Sequence, residues 1–343
     1  MASAESVANP VPCAVLGSGS FGTCLALHLA EKGYDVVLWA RDPLLADAIN
    51  QDHRNPRYLT DFLLPPNIRA TAALEEAVQG REVVVSVVPS HGVRDVWSRA
   101  GAFLEPHALL VSASKGLEVG TGLTASQILR DVLEPAHHER IVVLSGPSFA
   151  REIAEKRPTN VSIACANEGF AIAAQSILSS PIFRCYSNTD VIGVELAGAL
   201  KNVIAIAVGV VDGMELGLNA RAAVITRGLA EVTRLGEHLG AHAKTFLGLS
   251  GVGDLLLTCT GDLSRNRMVG MEVGRGRKLE EVLGAMTQVA EGVRTARSAW
   301  ELARKHQVDM PITEQAYYVL YEGKDHRQAM IDLMNRQLKS EAE

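Results

Sequence analysis

The sequence predicts an α/β half built on a mainly parallel, doubly wound sheet, followed by an all-α half. Three observations carry this. Short β-branched runs alternate with helical patterns in the first half, a glycine-rich turn joins the first run to the first helical pattern, and strand-like runs stop near Asp190.

Met1 to Pro10 carries acidic Glu5 and neither a basic nor an apolar stretch, so residues 1–10 read as a disordered leader rather than an export signal. The strand candidates follow in order: Cys13 to Leu16, Asp35 to Trp39, Val83 to Val88, Ala108 to Ser112, Ile141 to Leu144 and Val161 to Ala164. Their apolar character suits strands covered by helices on both faces. Phe21 to Lys32 sets Leu25, Ala26 and Leu29 at helical spacing and stops at Gly33, so the opening unit is βαβ. Past a boundary expected at Ser187 to Asp190, helices are predicted over Val191 to Val211, Asn219 to Gly240, Lys278 to Met286 and Thr295 to Lys305. The expected division is 11–189 for the sheet domain and 190–343 for the helical one, with ligands in the cleft beyond the carboxyl ends of the strands.

Composition narrows the function. With 39 acidic against 33 basic residues and a net charge of -6, the chain shows no electrostatic footprint for general nucleic-acid binding. Its longest unbroken apolar run, Val203 to Val211, falls far short of the ~20 residues a spanning helix needs, so stable membrane insertion is not expected. Cys13, Cys24, Cys165, Cys185 and Cys259 form no Cys-x-x-Cys pair, which suits a reducing, cytoplasmic setting. His238 and His242 are four apart, but Gly240 interrupts them and Leu239 stands where a zinc-protease helix carries glutamate, so no metal is expected. Met268, Met271 and Met286 read as core filler.

Gly17-Ser-Gly19-Ser-Phe-Gly22 lies between a strand and a helix, the context a dinucleotide-binding turn of Rossmann type requires. Gly17 permits the turn, Gly19 lets backbone approach a pyrophosphate, Gly22 admits close packing, and the helix N-terminus offers unpaired N–H groups to the anion. The next strand ends in Trp39-Ala-Arg41-Asp42. Arg41 stands where a carboxylate would bind a free ribose 2′-hydroxyl, so NADP(H) is the expected cofactor, with Asp42 leaving room for NAD(H). A surface Arg41–Asp42 pair is the competing reading.

Between Val191 and Val211 the ionisable side chains are Glu195 and Lys201. Helical spacing groups Gly198, Lys201, Asn202 and Ala205 on one face, so small neighbours would let a ligand reach the amine. Burial lowers a lysine's pKa toward the working pH, as a proton donor to a carbonyl requires. The alternative is a lysine snorkelling to the helix edge beside Glu195. Lys115, in Ser112-Ala-Ser-Lys-Gly116, would project from a strand's carboxyl end into the cleft, and Ser145-Gly146-Pro-Ser148-Phe-Ala150 offers a hydroxyl and backbone donors after the next strand, though each taken alone reads equally as a structural turn. Gly251-Val-Gly-Asp254 and Ser264-Arg265-Asn266-Arg267 read as polar islands in glycine-rich loops, the second a natural phosphate cradle. Asp254 could orient a lysine or cap the helix that follows, and spacing does not decide between the two.

Taken in order, Gly17-Ser-Gly-Ser-Phe-Gly-Thr23, Ser112-Ala-Ser-Lys-Gly116, Gly146-Pro-Ser-Phe-Ala150, Leu200-Lys-Asn202, Gly251-Val-Gly-Asp-Leu-Leu-Leu-Thr-Cys259, Ser264-Arg-Asn266 and Val289-Ala-Glu-Gly292 resemble the bacterial-type NAD(P)-dependent glycerol-3-phosphate dehydrogenases. The likeness spans nearly the whole chain after the leader. It implies reversible hydride transfer between nicotinamide and the middle carbon of a three-carbon phosphate, with reduction of dihydroxyacetone phosphate supplying glycerophospholipid synthesis. By that resemblance Lys201 is the catalytic acid and base, and Lys115 touches substrate and cofactor. Gly146, Ser148, Asp254, Ser264, Arg265 and Asn266 line the substrate; Ser20, Phe21, Arg41, Tyr58, Ala150, Arg265, Val289 and Glu291 join the glycine turn at the cofactor. A homodimer is compatible with it. A hydroxyacyl-CoA or ketoacid reductase would need a His/Glu pair or a carboxylate-binding arginine not identifiable here, and an NADPH sensor would need neither Lys201 nor Ser264-Arg-Asn266.

Overall fold

The computed structural model describes residues 11–286, 290–338 and 340–341; the leader at 1–10 lies outside them. Among these residues β1 (Pro12–Leu16), β2 (Asp35–Trp39), β3 (Ile68–Thr71), β4 (Val83–Ser86), β5 (Leu109–Ser112), β6 (Ile141–Ser145), β7 (Thr159–Ala164) and β8 (Phe183–Asn188) form one sheet. Their order is β3-β2-β1-β4-β5-β6-β7-β8. Every neighbouring pair is parallel except β6 with β7. The chain leaves β1 for β2 on one side and comes back to β4 on the other, so a crevice opens beyond the carboxyl ends of β1 and β4.

Alternation along β1 shows why the sheet is covered on both sides. Cys13 and Val15 pack with Leu25, Leu29 and Leu38 in one apolar layer, while Ala14 and Leu16 pack with Trp39, Trp97 and Leu110 in the other. Two strands have no counterpart among the sequence expectations. β3 is four residues long with Arg69 exposed, and β8 alternates buried Phe183 and Cys185 with exposed Arg184 and Tyr186. Both lie at sheet edges, where one face meets water and the continuous apolar signal is lost.

The second half is built around a helix at Val191–Gly213, which starts on Asp190 as N-cap. By length and composition this helix could cross a membrane, a possibility that counting unbroken apolar runs overlooks. However, 83% of its apolar window is buried inside the protein. It is the pillar around which the helices Gly217–His238, Asp254–Thr260, Arg265–Gly274, Glu291–His306 and Pro311–Tyr321 pack. Further expectations need correction. Ser264 to Arg267 does not lie in a loop: Ser264 caps the Arg265–Gly274 helix, its hydroxyl accepting from the Arg267 N–H at 3.3 Å. The Lys278 to Met286 helix is shorter, Leu279–Gly284, and Met268 is exposed instead of filling the core.

Candidate active site

The crevice is shaped first by the glycine turn. Gly17 sits at φ +113, and a Cβ there would press on the Val87 carbonyl at 3.3 Å, so the turn after β1 lies directly against the segment after β4. A Cβ on Gly22 would stand 1.7 Å from the Gly17 carbonyl oxygen, which only glycine allows. Gly19, by contrast, faces open space. The Ser20–Glu31 helix has no side-chain cap and no acidic residue in its first turn, so its leading N–H groups, those of Ser20 and Phe21 included, remain available to an anion. These features fit a dinucleotide pyrophosphate.

The loop carrying Tyr58 is fastened to that turn by a residue the sequence reading did not single out. Asn55 is fully buried; its amide donates to the Ser18 carbonyl and the Thr23 hydroxyl, both at 2.8 Å, while its oxygen accepts from the N–H groups of Arg57 and Tyr58 at 3.0 Å. Asp42 does not pair with Arg41. It caps the Pro43–Asp52 helix and meets Arg57 at 2.5 Å, which leaves Arg41 exposed and within electrostatic reach of His91. The adjacent Ser90 hydroxyl donates to Glu291 at 2.5 Å, and Arg265 lies within reach of both Glu291 and Tyr58. Ala150 opens a short helix packed on the sheet core. Arg41, Tyr58, Arg265 and Glu291 thus gather at one cleft, whereas Val289 lies outside the described residues.

At the centre stands a carboxylate between two lysines. Asp254, the first residue of the Asp254–Thr260 helix, is 1% exposed. It accepts from Lys201 Nζ at 2.6 Å on one oxygen and from Lys115 Nζ at 2.7 Å on the other. The capping alternative is therefore not what its side chain does. Lys201 donates also to the Thr258 hydroxyl at 2.7 Å, and that hydroxyl gives its own proton to the Asp254 carbonyl. The lysine does not snorkel to Glu195, which binds elsewhere. Burial pulls the Lys201 pKa down to about 8, with Asp254 holding it up and Lys115 adding to the fall. Lys115 reaches the Gly146 carbonyl at 3.0 Å, the same oxygen that accepts from Ser148 at 2.9 Å. Thr258 escaped the sequence reading because a threonine one turn into a helix carries no distinguishing pattern.

The opposite wall is braced by amides. Asn266 donates to Asn202 Oδ1 and accepts from the Gly292 N–H, both at 2.9 Å, joining three helices at the cleft. In its cap the Ser264 oxygen only accepts, so the donors offered to an anion here are the Ser264 hydroxyl proton, the first N–H groups of the Arg265–Gly274 helix and the Arg265 guanidinium. Two cations around one buried carboxylate, facing such a wall, can hold an anion and give a proton to an oxygen beside it.

Comparison with known proteins agrees with this geometry. Residues 12–171 match the family described as NAD-dependent glycerol-3-phosphate dehydrogenase N-terminus, and residues 190–331 match the corresponding C-terminus. The chain is 53% identical over 327 residues to a protein of Myxococcus xanthus named glycerol-3-phosphate dehydrogenase [NAD(P)+], covering 95% of this chain and 98% of that one. A Geobacter metallireducens protein of the same name matches at 53% with the same coverage. Among solved structures, glycerol-3-phosphate dehydrogenase from Coxiella burnetii superposes with a TM-score of 0.90 at 39% identity, covering 96% of this chain and all of that one.

Proposed function

The chain belongs to the NAD-dependent glycerol-3-phosphate dehydrogenase family and reduces dihydroxyacetone phosphate to sn-glycerol 3-phosphate with NADPH or NADH, and we propose that Lys201 is the group that gives and takes the proton. The observation that carries this is the buried Lys201–Asp254–Lys115 triad, which leaves the site with an excess positive charge at the sheet's carboxyl edge. When bound, the nicotinamide supplies the hydride in reduction and accepts it in oxidation. As negative charge builds on the ketone oxygen, Lys201 donates a proton from its ammonium and Lys115 steadies the same oxygen. Asp254 keeps both amines aimed. The neutral Lys201 amine then recovers a proton from solvent, and in oxidation the sequence reverses, with the amine as base.

In this reading residues 11–189 hold the cofactor and residues 190–343 the substrate. The Arg265 guanidinium and the N–H groups behind Ser264 and Asn266 take the substrate phosphate, and Gly146 and Ser148 line the carbon end. Gly17, Gly19, Ser20, Phe21, Gly22 and Ala150 carry the pyrophosphate side, and Arg41 selects the 2′-phosphate of NADPH. Tyr58 and Glu291 complete the cofactor cleft. All five cysteines are free and buried, which supports a cytoplasmic setting. A homodimer is supported by the exposed apolar side chains of the helical half, Leu218, Met334 and Leu338 among them.

The experiment follows NADPH absorbance with dihydroxyacetone phosphate, with dihydroxyacetone and NADH in parallel. Oxidation that requires the phosphate is expected; equal rates without it, or no turnover despite NADPH binding, would overturn the assignment.

A further inference from the structure

The Val191–Gly213 helix carries a second ionisable side chain that the reaction scheme leaves unused. Glu195 is 6% exposed and has no cation in contact among the described residues. Its carboxylate takes its donors from the other domain. One oxygen accepts from the Ser126 N–H at 2.8 Å; the other accepts from the Thr124 hydroxyl at 2.7 Å and from the Ser126 hydroxyl at 2.5 Å. Thr124 and Ser126 open the Ala125–Val132 helix, so the carboxylate also sits at the positive end of that helix dipole.

The connectivity gives this contact its meaning. The Thr124–Ser126 segment closes the loop that leaves β5 and carries Lys115, while Glu195 stands six residues before Lys201 on a continuous helix, about 9 Å along its axis. Between them, Gly198 places its missing Cβ 2.6 Å from the Ser145 hydroxyl at the end of β6, so the helix lies on the sheet edge without a spacer. Glu195, Gly198 and Asn202 follow one another at three- and four-residue steps on that same side. Besides apolar packing, the Gly198 contact and the link through Lys201, Asp254 and Lys115, these three directed hydrogen bonds to one carboxylate oppose sliding and rolling of the helix on the sheet domain.

We propose that Glu195 is a positioning residue of the reaction: by binding Thr124 and Ser126 it sets the height and rotation of Lys201 above the carboxyl edge of the sheet. This rests on Lys201 being the proton donor. A misplacement of about 1 Å at a reacting group can cost about 100-fold in rate. The effect falls on turnover, because the glycine turn that binds the cofactor is untouched.

The test compares Glu195→Met, Glu195→Gln, Thr124→Val/Ser126→Ala, and the combination of the first and third, by kcat, KM and NADPH affinity from fluorescence. Glu195→Met is expected to lower kcat at least tenfold with NADPH affinity within twofold of the parent. Glu195→Gln, which keeps shape and part of the bonding, should recover much of the loss, and the combined variant should be no slower than Glu195→Met alone. Should Glu195→Met not fold, Thr124→Val/Ser126→Ala carries the same prediction from the other side, with a smaller loss of kcat. A kcat within twofold of the parent in both, or losses that multiply in the combined variant, would overturn the proposal. Lys201→Ala separates the two levels: an active Lys201→Ala overturns the proton-donor assignment itself, whereas an inactive one beside unaffected Glu195 variants overturns only the positioning role.

Discussion

Asp254→Asn keeps the shape of a buried side chain and removes the charge that Lys201 and Lys115 share. Burial lowers the Lys201 pKa to about 8, and the Asp254 carboxylate opposes that fall. At about pH 7, a group with that pKa is an ammonium in roughly ten molecules for each neutral amine. An opposite charge at such range raises a lysine pKa by about 1–3 units, so its loss should carry the midpoint to about 5–7. At the middle of that range the ammonium fraction at about pH 7 drops from roughly 0.9 to ~0.1, a tenfold loss of reduction from protonation alone. The assay is kcat/KM for dihydroxyacetone phosphate across about pH 5 to 10, which reports groups on the enzyme before the ketone binds. With Lys201 as the proposed proton donor, reduction uses the protonated lysine, so its rate holds below the midpoint and falls above it; oxidation runs with the opposite slope. The parent should lose reduction as pH rises through about 8, and the variant should lose it at lower pH while regaining rate below about pH 6. A variant whose limb stays near pH 8, with every rate scaled down alike, would refute an electrostatic role for Asp254.

Lys115→Met removes a like charge, so the same limb should move upward from about 8 and KM for the ketone should rise; a downward move would contradict the geometry. Arg41→Glu should lower kcat/KM for NADPH by about 10- to 100-fold, the worth of one charge-assisted contact, and change that for NADH less than threefold. An unchanged NADPH KM would remove Arg41 from the cofactor site. Glu231 is 3% exposed and accepts from the Ile312 and Thr313 N–H groups at the start of the Pro311–Tyr321 helix. Burial lifts its pKa from 4.5 to about 7. A raised folded-state value means its stabilisation is complete below about 4.5 and is lost as pH rises through about 7, of order 3 kcal/mol. The parent Tm should therefore fall between about pH 5 and 8, and Glu231→Gln should flatten that fall. Parallel Tm curves for the two proteins would rule the coupling out.

What the sequence made legible follows the physics of its signals. β2 was readable to the residue because Val36 to Trp39 is buried on both sides and the run is bounded by Gly33 and Arg41. β8 was not, because Arg184 and Tyr186 face water and its pattern resembles a polar loop. Ser264 to Arg267 looked like a loop for a related reason: an N-cap and a first turn made of arginines and an amide hide a helix whose buried side is Val269, Gly270 and Val273. Lys201 stood out because a cation in an apolar helix has few explanations. Thr258, Asn55 and the partners of Glu195 were invisible, since they matter through contacts made across 57, 37 and 71 positions of chain. Local periodicity carries no record of such pairings.

The absence of side chains does as much for this site as their chemistry. A Cβ on Gly209 would stand 2.1 Å from the Arg267 carbonyl oxygen, and one on Gly270 would stand 2.0 Å from that of Ile206, so the Val191–Gly213 and Arg265–Gly274 helices cross backbone against backbone. Gly292 repeats the arrangement, its missing Cβ 2.5 Å from the Asn202 carbonyl. The Gly209 and Gly270 contacts would have to open by about an ångström, and the Gly292 contact by about half of one, to admit even a methyl group, since real Cβ atoms do not approach closer than about 3 Å. That opening would carry Arg265 and Asn266 away from Lys201, against the bonds that tie Asn266 to both Asn202 and Gly292. The spacing between the Arg265–Asn266 wall and the helix that carries Lys201 is thus set at three glycines, of which only Gly292 bonds to the wall itself. On the proposed reading, in which Arg265 takes the phosphate and Lys201 serves the carbonyl, such close helix crossing would favour a substrate whose phosphate and reacting carbon are separated by a single methylene.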